Sequence, residues 1–258
     1  MGALFREIYA YRELYKNMVR RNLRTRYKAS FFGFLWTFIN PFLQLVVYSV
    51  VFSTIMRMGI KNFPMFLFVV LLPWIFFANS TQEATGLIVN NSNIIKKVYF
   101  PREILPLASV SAGLINMVLS FFIAFVALFL FHIPLTMSII ALPLVIAIEF
   151  IFTLGVSLLI AAANVYFRDI EHIWGILVMA WFYLTPIVYP INMVPAQYLK
   201  YLFLNPMVTF TEAYRDILYY GVFPYLPGLG ILTVMSILVL IFGYMVFNHL
   251  SKGFAEQV

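Results

Sequence analysis

Residues 93–106 read NIIKKVYFPREILP, one of the few places where charge interrupts this chain, and the segment lies between two long apolar runs. Lys96, Lys97 and Arg102 would each be costly at the centre of a bilayer, so they place the segment at a membrane face. Aromatic and aliphatic side chains alternate with these charges. This mixture favours a surface on which another protein packs, and the alternative is a basic loop that only flanks the membrane.

The composition is that of a polytopic membrane protein, with 63% hydrophobic and 10% charged residues. Soluble domains carry about 25% charged residues. The net charge of +7 does not indicate a nucleic-acid partner, because eight of the 17 Lys and Arg residues precede Ser30 and so indicate membrane topology. The chain has no cysteine, which excludes disulfides, a thiolate nucleophile and a cysteine-ligated metal.

Apolar runs predict an all-α integral membrane protein, since a helix of about 20 apolar residues crosses a bilayer. Charge and proline delimit six spans, at residues 29–56, 63–80, 104–131, 139–163, 173–188 and 228–250, with a polar tail at 251–258. We expect the third helix to begin near Pro101. Prolines cut residues 190–227 into pieces too short to cross, which predicts two short helices, at 198–204 and 207–220, that are re-entrant or interfacial.

The first 28 residues combine an amphipathic pattern with a basic collar at 24–28. They predict a helix that lies on an anionic leaflet or caps a partner protein. Six spans place both termini on one side, and that side carries thirteen Lys and Arg residues against four opposite. The positive-inside rule makes it cytoplasmic, so segment 91–103 faces the cytoplasm of a plasma or inner membrane and 190–227 faces out.

Polar residues inside the predicted spans are candidates for function. Asn40 precedes Pro41 in the first span, where its amide needs a partner inside the bundle and the proline predicts a kink. Glu149 lies alone in the fourth span, and an intramembrane carboxylate is either functional or hydrogen-bonded within the bundle.

The remaining polar chemistry is sparse. Glu212, Arg215 and Asp216 could be an acid pair of an extracellular enzyme, but their spacing favours a local ion pair. The three histidines lie far apart in sequence, so we predict no metal site. No GxxxxGK[ST] motif occurs, and the chain therefore lacks that device for holding nucleotide phosphates.

Five short motifs follow one another along the chain. They are GFLWTFINP at 33–41, KKVYFPREILP at 96–106, the YFRD core within 164–169, TPI at 185–187, and LNP at 204–206 followed by Glu212, Arg215 and Gly221. With six spans, this order resembles the permease subunit of type-two ABC exporters for lipid-linked cell-surface polysaccharides. That group includes teichoic acid, O-antigen and capsule exporters, and FINPFLQ at 38–44 leans toward the teichoic acid branch.

The resemblance implies a single permease domain that is no enzyme itself and binds no cofactor. It implies a homodimer working with two copies of a nucleotide-binding subunit, which would hold ATP and magnesium. Segment 91–103 would dock in that ATPase through Ile94, Lys96, Lys97, Tyr99, Phe100, Arg102 and Glu103. The outer segment, with Asn205, Glu212, Arg215 and Asp216, would cap the conduit.

The resemblance also implies a glycan path lined by aromatic rings near the first and fifth spans. The candidates in this sequence are Trp36, Phe38, Tyr48, Phe52, Trp174, Trp181, Phe182 and Tyr183. Ring faces suit sugar C–H groups, whereas packing or lipid contact is the alternative for any single ring. Two rival functions stay open: export of small drugs or lipids, and an integral-membrane enzyme acting on lipid-linked glycans, which would need acids or histidines clustered at one face.

Overall fold

The structure, a computed structural model, describes residues 9–25, 31–57 and 59–257. Within these ranges every regular element is helical, which confirms the all-α prediction. Residues 1–8 of the predicted amphipathic helix, residues 26–28 of its basic collar and the first two residues of the first predicted span lie outside the described residues. The helices are α1 Arg12–Thr25, α2 Trp36–Tyr48, α3 Phe63–Asn90, α4 Ser92–Lys97, α5 Ile104–Leu130, α6 Leu142–Tyr166, α7 Ile170–Leu184, α8 Ala196–Leu202, α9 Pro206–Arg215, α10 Leu226–Ser251 and α11 Phe254–Gln257.

Five helices of the described chain are long and apolar enough to cross a membrane. They are Trp36–Ile55, which joins α2 to a π-helical continuation, Phe63–Asn90, Ile104–Leu130, Met137–Tyr166, which includes a 3-10 turn before α6, and Leu226–Ser251. The predicted fifth span corresponds to α7, which is apolar but has only 15 residues.

Several helix ends differ from the prediction. Helix α3 continues to Asn90, ten residues past the predicted end of the second span. The polar stretch after Asn79 stops the apolar run but not the helix, because the hydroxyls of Thr81 and Thr85 bond to carbonyls of their own turns, Phe77 O at 2.9 Å and Gln82 O at 2.7 Å. The interval between α3 and α5 is therefore residues 91–103, and it is shorter than the end of the apolar run suggests.

The ends of three other helices can also be compared with the prediction. Helix α5 begins at Ile104, which is the predicted start of the third span and lies just after Pro101, and α6 continues to Tyr166. Helix α7 begins three residues before the predicted span and ends at Leu184, four residues before its predicted end. It ends there because Thr185 precedes a proline, and such a residue favours extended backbone.

Helix α3 is the centre of the bundle. All residues from 65 to 74 are buried, so this part of the helix is covered on every side. It contacts α2, α5, α6 and α7. Helix α2, by contrast, is largely exposed and presents Phe42, Leu43 and Val47 outward.

Helices α6 and α10 meet at two glycines. A Cβ atom built on Gly243 would lie 2.2 Å from the carbonyl oxygen of Gly155, and one on Gly155 would lie 2.7 Å from the Cα atom of Leu240. No side chain fits between backbones this close, and small residues of this kind are common where membrane helices cross. The two glycines therefore allow the close α6–α10 contact.

One end of the bundle, here called the basic end, carries α1, α4 and α11. Helix α1 packs on α5 through Met18 and Val19, and the Tyr15 hydroxyl donates to Ser111 Oγ at 2.9 Å. The C-terminal segment is not only a polar tail, because Phe254 is fully buried and its ring meets that of Phe247 edge-on at 5.4 Å. The opposite end carries α8 and α9.

The outward face of α1 is charged. The Lys16 ammonium donates to the Glu13 carboxylate at 2.9 Å, and this hydrogen bond with the accompanying charge attraction lowers the pKa of Glu13. Both side chains are exposed. Helix α1 thus has one apolar side on the bundle and one solvated side.

Candidate coupling surface and transport path

The predicted coupling residues divide into an outward and an inward group. Helix α4 carries Lys96 and Lys97 exposed at its end, and the backbone then extends through residues 98–100. The Tyr99 side chain is 90% exposed, whereas Phe100 is 4% exposed and packs in the same cluster as Ile95. Ile94, Arg102 and Glu103 are partly buried. The exposed part of this surface consists of the two lysines with Val98 and Tyr99.

Helices α1 and α11 contact the segment that carries this surface. The Arg21 guanidinium of α1 donates to Asn91 Oδ1 at 3.0 Å, just before α4. The Arg102 guanidinium lies 5.8 Å from the centre of the Phe254 ring of α11. The sequence pattern did not predict these contacts, since α1 and α11 lie far from α4 along the chain.

Six of the eight predicted path rings belong to one connected series. The ring centres of Trp174 and Trp181 lie 6.2 Å apart. Phe182 stacks on Tyr48 with centres 5.5 Å apart and contacts Tyr183 at 5.3 Å. Tyr48 also contacts Phe52 at 6.4 Å. Two rings of α3 that the sequence reading missed join these groups: Phe77 contacts Trp181 at 5.2 Å, and Trp74 contacts Phe182 at 5.6 Å. Their spacing on one helical face was the available signal.

Exposure separates the rings of this series. Phe182 is 6% exposed and is a packing residue, whereas Tyr183 is 59% exposed. Trp181 is partly buried, and its Nε1 donates to Asn205 Oδ1 at 2.7 Å. The accessible side of the series therefore lies along α7.

Trp36, together with Asn40, lies elsewhere, at a cavity between α2, α3 and α5. Asn40 is exposed at this cavity, and no hydrogen bond of its side chain to another described residue occurs, in contrast to the partner expected inside the bundle. Pro41 packs inward. Phe38 of the same helix is partly buried.

Glu149 is fully buried in α6 and bonded to another helix. The Tyr214 hydroxyl of α9 donates to Glu149 Oε2 at 2.5 Å, and the Tyr214 ring stacks on Phe121 at 5.8 Å. Among the described residues no group bonds to Glu149 Oε1. Of the two alternatives left open by the sequence, the structure contains the hydrogen-bonded carboxyl.

Asn205 joins the outer segment to the end of α7. Its Oδ1 accepts from the Met207 backbone N–H at 3.0 Å, which caps α9, and its Nδ2 donates to Thr185 Oγ1 at 3.0 Å. The indole of Trp181 donates to the same Oδ1. One amide thus caps a helix and fastens it to α7.

Arg215 anchors α9 against the bundle. It is buried, with Nη1 bonded to Glu212 Oε1 at 3.0 Å and Nη2 donating to the Ile187 carbonyl at 2.6 Å. Its guanidinium also lies 3.8 Å from the centre of the Phe66 ring. Asp216 is partly buried beside them. The trio is a local ion pair with a neighbouring acid, as its spacing indicated, rather than a pair of facing carboxyls.

Metal-binding side chains do not gather in the described part of the chain. No group of three or more His, Asp or Glu residues there could hold a metal ion.

A helical bundle with five membrane-length helices and no phosphate-binding loop defines a polytopic integral membrane protein. Residues 13–219 match the family model described as ABC-2 type transporter. The chain belongs to this family, and its resemblance to type-two ABC permeases is confirmed.

Named relatives cover nearly the whole chain. The O-antigen export system permease protein RfbA of Myxococcus xanthus is 38% identical over 260 residues, which span all of both chains. A protein of the same name from Klebsiella pneumoniae is 32% identical over 240 residues, 93% of this chain and 92% of the relative. The polysialic acid transport protein KpsM of Escherichia coli is 23% identical over 231 residues, 86% of this chain and 88% of the relative.

Proposed function

We propose that this chain is the transmembrane subunit of an ATP-driven exporter that moves a lipid-linked polysaccharide across the cell membrane. The observation that carries this conclusion is the similarity, along both entire chains, to an O-antigen export permease. The named relatives favour an O-antigen or capsular glycan over teichoic acid.

The test is depletion of the chain in the cells that make it. Lipid-linked polysaccharide should accumulate inside the membrane and be identified by mass spectrometry, while surface polysaccharide falls. Re-expression should restore both. Accumulation of no glycan, with altered export of a small lipid or drug, would instead favour the rival class of exporter.

ATP hydrolysis is assigned to two copies of a separate nucleotide-binding subunit, which hold ATP and magnesium. The absence of a GxxxxGK[ST] motif from the sequence supports this assignment. We also assign the permease as a homodimer. Helix α2 offers a long apolar exposed face, with Phe42, Leu43 and Val47, that is available to a second copy or to lipid.

The docking surface for that subunit is α4 with residues 98 and 99. An exposed tyrosine and valine beside two lysines form the mixed apolar and basic patch that a partner interface uses. Phe100 holds this patch on the bundle from inside, and Arg102 and Glu103 flank it.

Six spans with both termini in the cytoplasm complete the proposal. Helix α7 runs from the basic end, where the Glu171 backbone N–H donates to Asn164 Oδ1 at 3.1 Å, to the opposite end at Asn205. Its 15 residues extend about 22 Å at about 1.5 Å per residue, and residues 185–190 supply the remaining depth. The basic end is then cytoplasmic, and α8 and α9 form the outer re-entrant segment.

The glycan path follows the accessible side of the ring series on α7. Tyr183 and the partly buried Trp174 and Trp181 offer ring faces to sugar C–H groups. Asn205 and Arg215 hold the outer segment over the end of this path. Glu149 is assigned a structural role through Tyr214, because it is enclosed.

A further inference from the structure

A cavity of about 440 Å³ lies between α2, α3 and α5. Its lining includes the ring of Trp36 and the polar side chains of Asn40, Asn79, Glu83 and Asn116. Polar groups at membrane depth are costly, and they mark pathways more often than packing. This cavity is separate from the ring series on α7.

The side-chain oxygen of Asn116 in α5 has no hydrogen-bond donor in the described part of the chain, and a ligand in the cavity could supply one. The residue is 8% exposed, and its Oδ1 accepts no hydrogen bond from any described residue. The neighbouring Ser120 hydroxyl donates to the Asn116 backbone carbonyl at 2.9 Å and leaves the side chain unsatisfied. A buried acceptor without a partner destabilises the fold, so a hydrogen-bond donor in the cavity would complete the site.

A second cavity lies on the basic-end side of the first. It has a volume of about 620 Å³ and is lined by Arg21, Asn90, Asn91 and Ser109, and Glu83 lines both cavities. Ser109 Oγ lies 3.5 Å from Glu83 Oε2 at this junction. The two cavities therefore adjoin at Glu83, and the second lies on the side of α1.

The side chains that line the cavity indicate which class of ligand it would bind. Amide and hydroxyl groups beside aromatic rings match the hydroxyls and C–H faces of a sugar. The described lining includes the carboxylate of Glu83, which disfavours a phosphate, and its amide and hydroxyl groups disfavour an acyl chain. The volume lies in the range of about 300–1,000 Å³ that small-ligand sites occupy.

We infer that this cavity is a binding subsite for a neutral sugar unit of the cargo, entered from the basic end; the inference rests on the proposed function. Gly113 also lines it, and a Cβ atom there would lie 2.5 Å from Ser80 Oγ. The absence of a side chain at this position keeps the cavity open beside Ser80.

Cysteine protection tests the site directly, since the chain has no native cysteine. In the purified permease–ATPase complex, Asn79→Cys should react with a small water-soluble thiosulfonate. A polyprenyl diphosphate bearing one N-acetylglucosamine should slow this reaction at least tenfold, and the same lipid without sugar should not. Gln257→Cys, exposed at the basic end, should be unaffected by either lipid. Absent protection, or equal protection by both lipids, overturns the inference.

Export by Asn116→Leu provides an independent test. Replacing an unsatisfied buried amide by an apolar side chain of similar size is neutral or stabilising for packing alone. We expect export to fall at least tenfold while complex assembly and melting temperature are kept, and Asn248→Leu on the exposed side of α10 should export normally. Normal export by Asn116→Leu, or loss of export only with loss of assembled protein, overturns the subsite. Failure of the wild-type chain to restore export would instead refute the proposed function.

Discussion

Replacing Gly243 by alanine should loosen the bundle at its closest helix contact. The added Cβ would lie 2.2 Å from the Gly155 carbonyl oxygen, whereas a carbon and a carbonyl oxygen approach to about 3.3–3.6 Å in favourable contacts. Helices α6 and α10 must therefore separate by about 1 Å. The obstructing atom belongs to the backbone of a packed helix, so rotation of a side chain cannot relieve the clash.

The expected cost follows from these distances. Overpacking a well-packed site costs about 1–3 kcal/mol, and alanine recovers at most about 1 kcal/mol of helix propensity. We expect Gly243→Ala to lose about 1–2 kcal/mol net. At about 2–4 °C per kcal/mol for a chain of this size, the melting temperature should fall by about 2–8 °C.

A matched control lies on the same helix. A Cβ atom on Gly230 would meet no heavy atom within 4 Å, so Gly230→Ala should be neutral or stabilising by up to about 1 kcal/mol. The assay is size-exclusion chromatography of the detergent-solubilised protein after heating. If both variants have the melting temperature of the wild type, or if both lose the same stability, the assigned α6–α10 contact is wrong.

Three further predictions concern the coupling surface, the topology and the path. Tyr99→Ala should weaken co-purification of the nucleotide-binding subunit at unchanged melting temperature, whereas Phe100→Ala should lose about 3–5 kcal/mol of stability. Unchanged partner retention in Tyr99→Ala would contradict the docking surface. In intact cells an impermeant maleimide should label Asn192→Cys and spare Gln257→Cys, and the reverse pattern would overturn the six-span topology. Tyr183→Leu should abolish export while keeping stability within about 0.5 kcal/mol, and normal export would remove this ring from the path.

Helix boundaries show where reading the sequence works and where it stops. Charge and proline located the segments between spans, because transfer of each residue type into a bilayer is a local property. The end of α3 was predicted ten residues early, since polar residues end an apolar run without ending a helix. The end of α7 was predicted four residues late, although Pro186 was present as a signal.

The candidate site divides in the same way. The motif around residue 99 predicts a coupling segment, but the sequence pattern alone did not predict that Tyr99 is exposed and Phe100 is buried. The family resemblance pointed to rings of the first and fifth spans, yet the rings of α3 that connect them were missed. Trp36 and Asn40 of the Asn116 cavity were candidates from the sequence, but Asn79, Glu83 and Asn116 were not, because the packing of α3 and α5 brings them to the cavity.

The sequence by itself determined that this chain is an all-helical membrane protein of the ABC-2 type family, since hydropathy, charge and motif order are properties read along one dimension. Only the tertiary structure decided which helix is central, that α6 and α10 touch through glycines, and that Glu149 is enclosed by Tyr214. The physical reason is that almost every face of these helices is apolar. The free energy of transfer into the bilayer is then the same for many packing arrangements. Shape complementarity and hydrogen bonds between helices determine which arrangement forms.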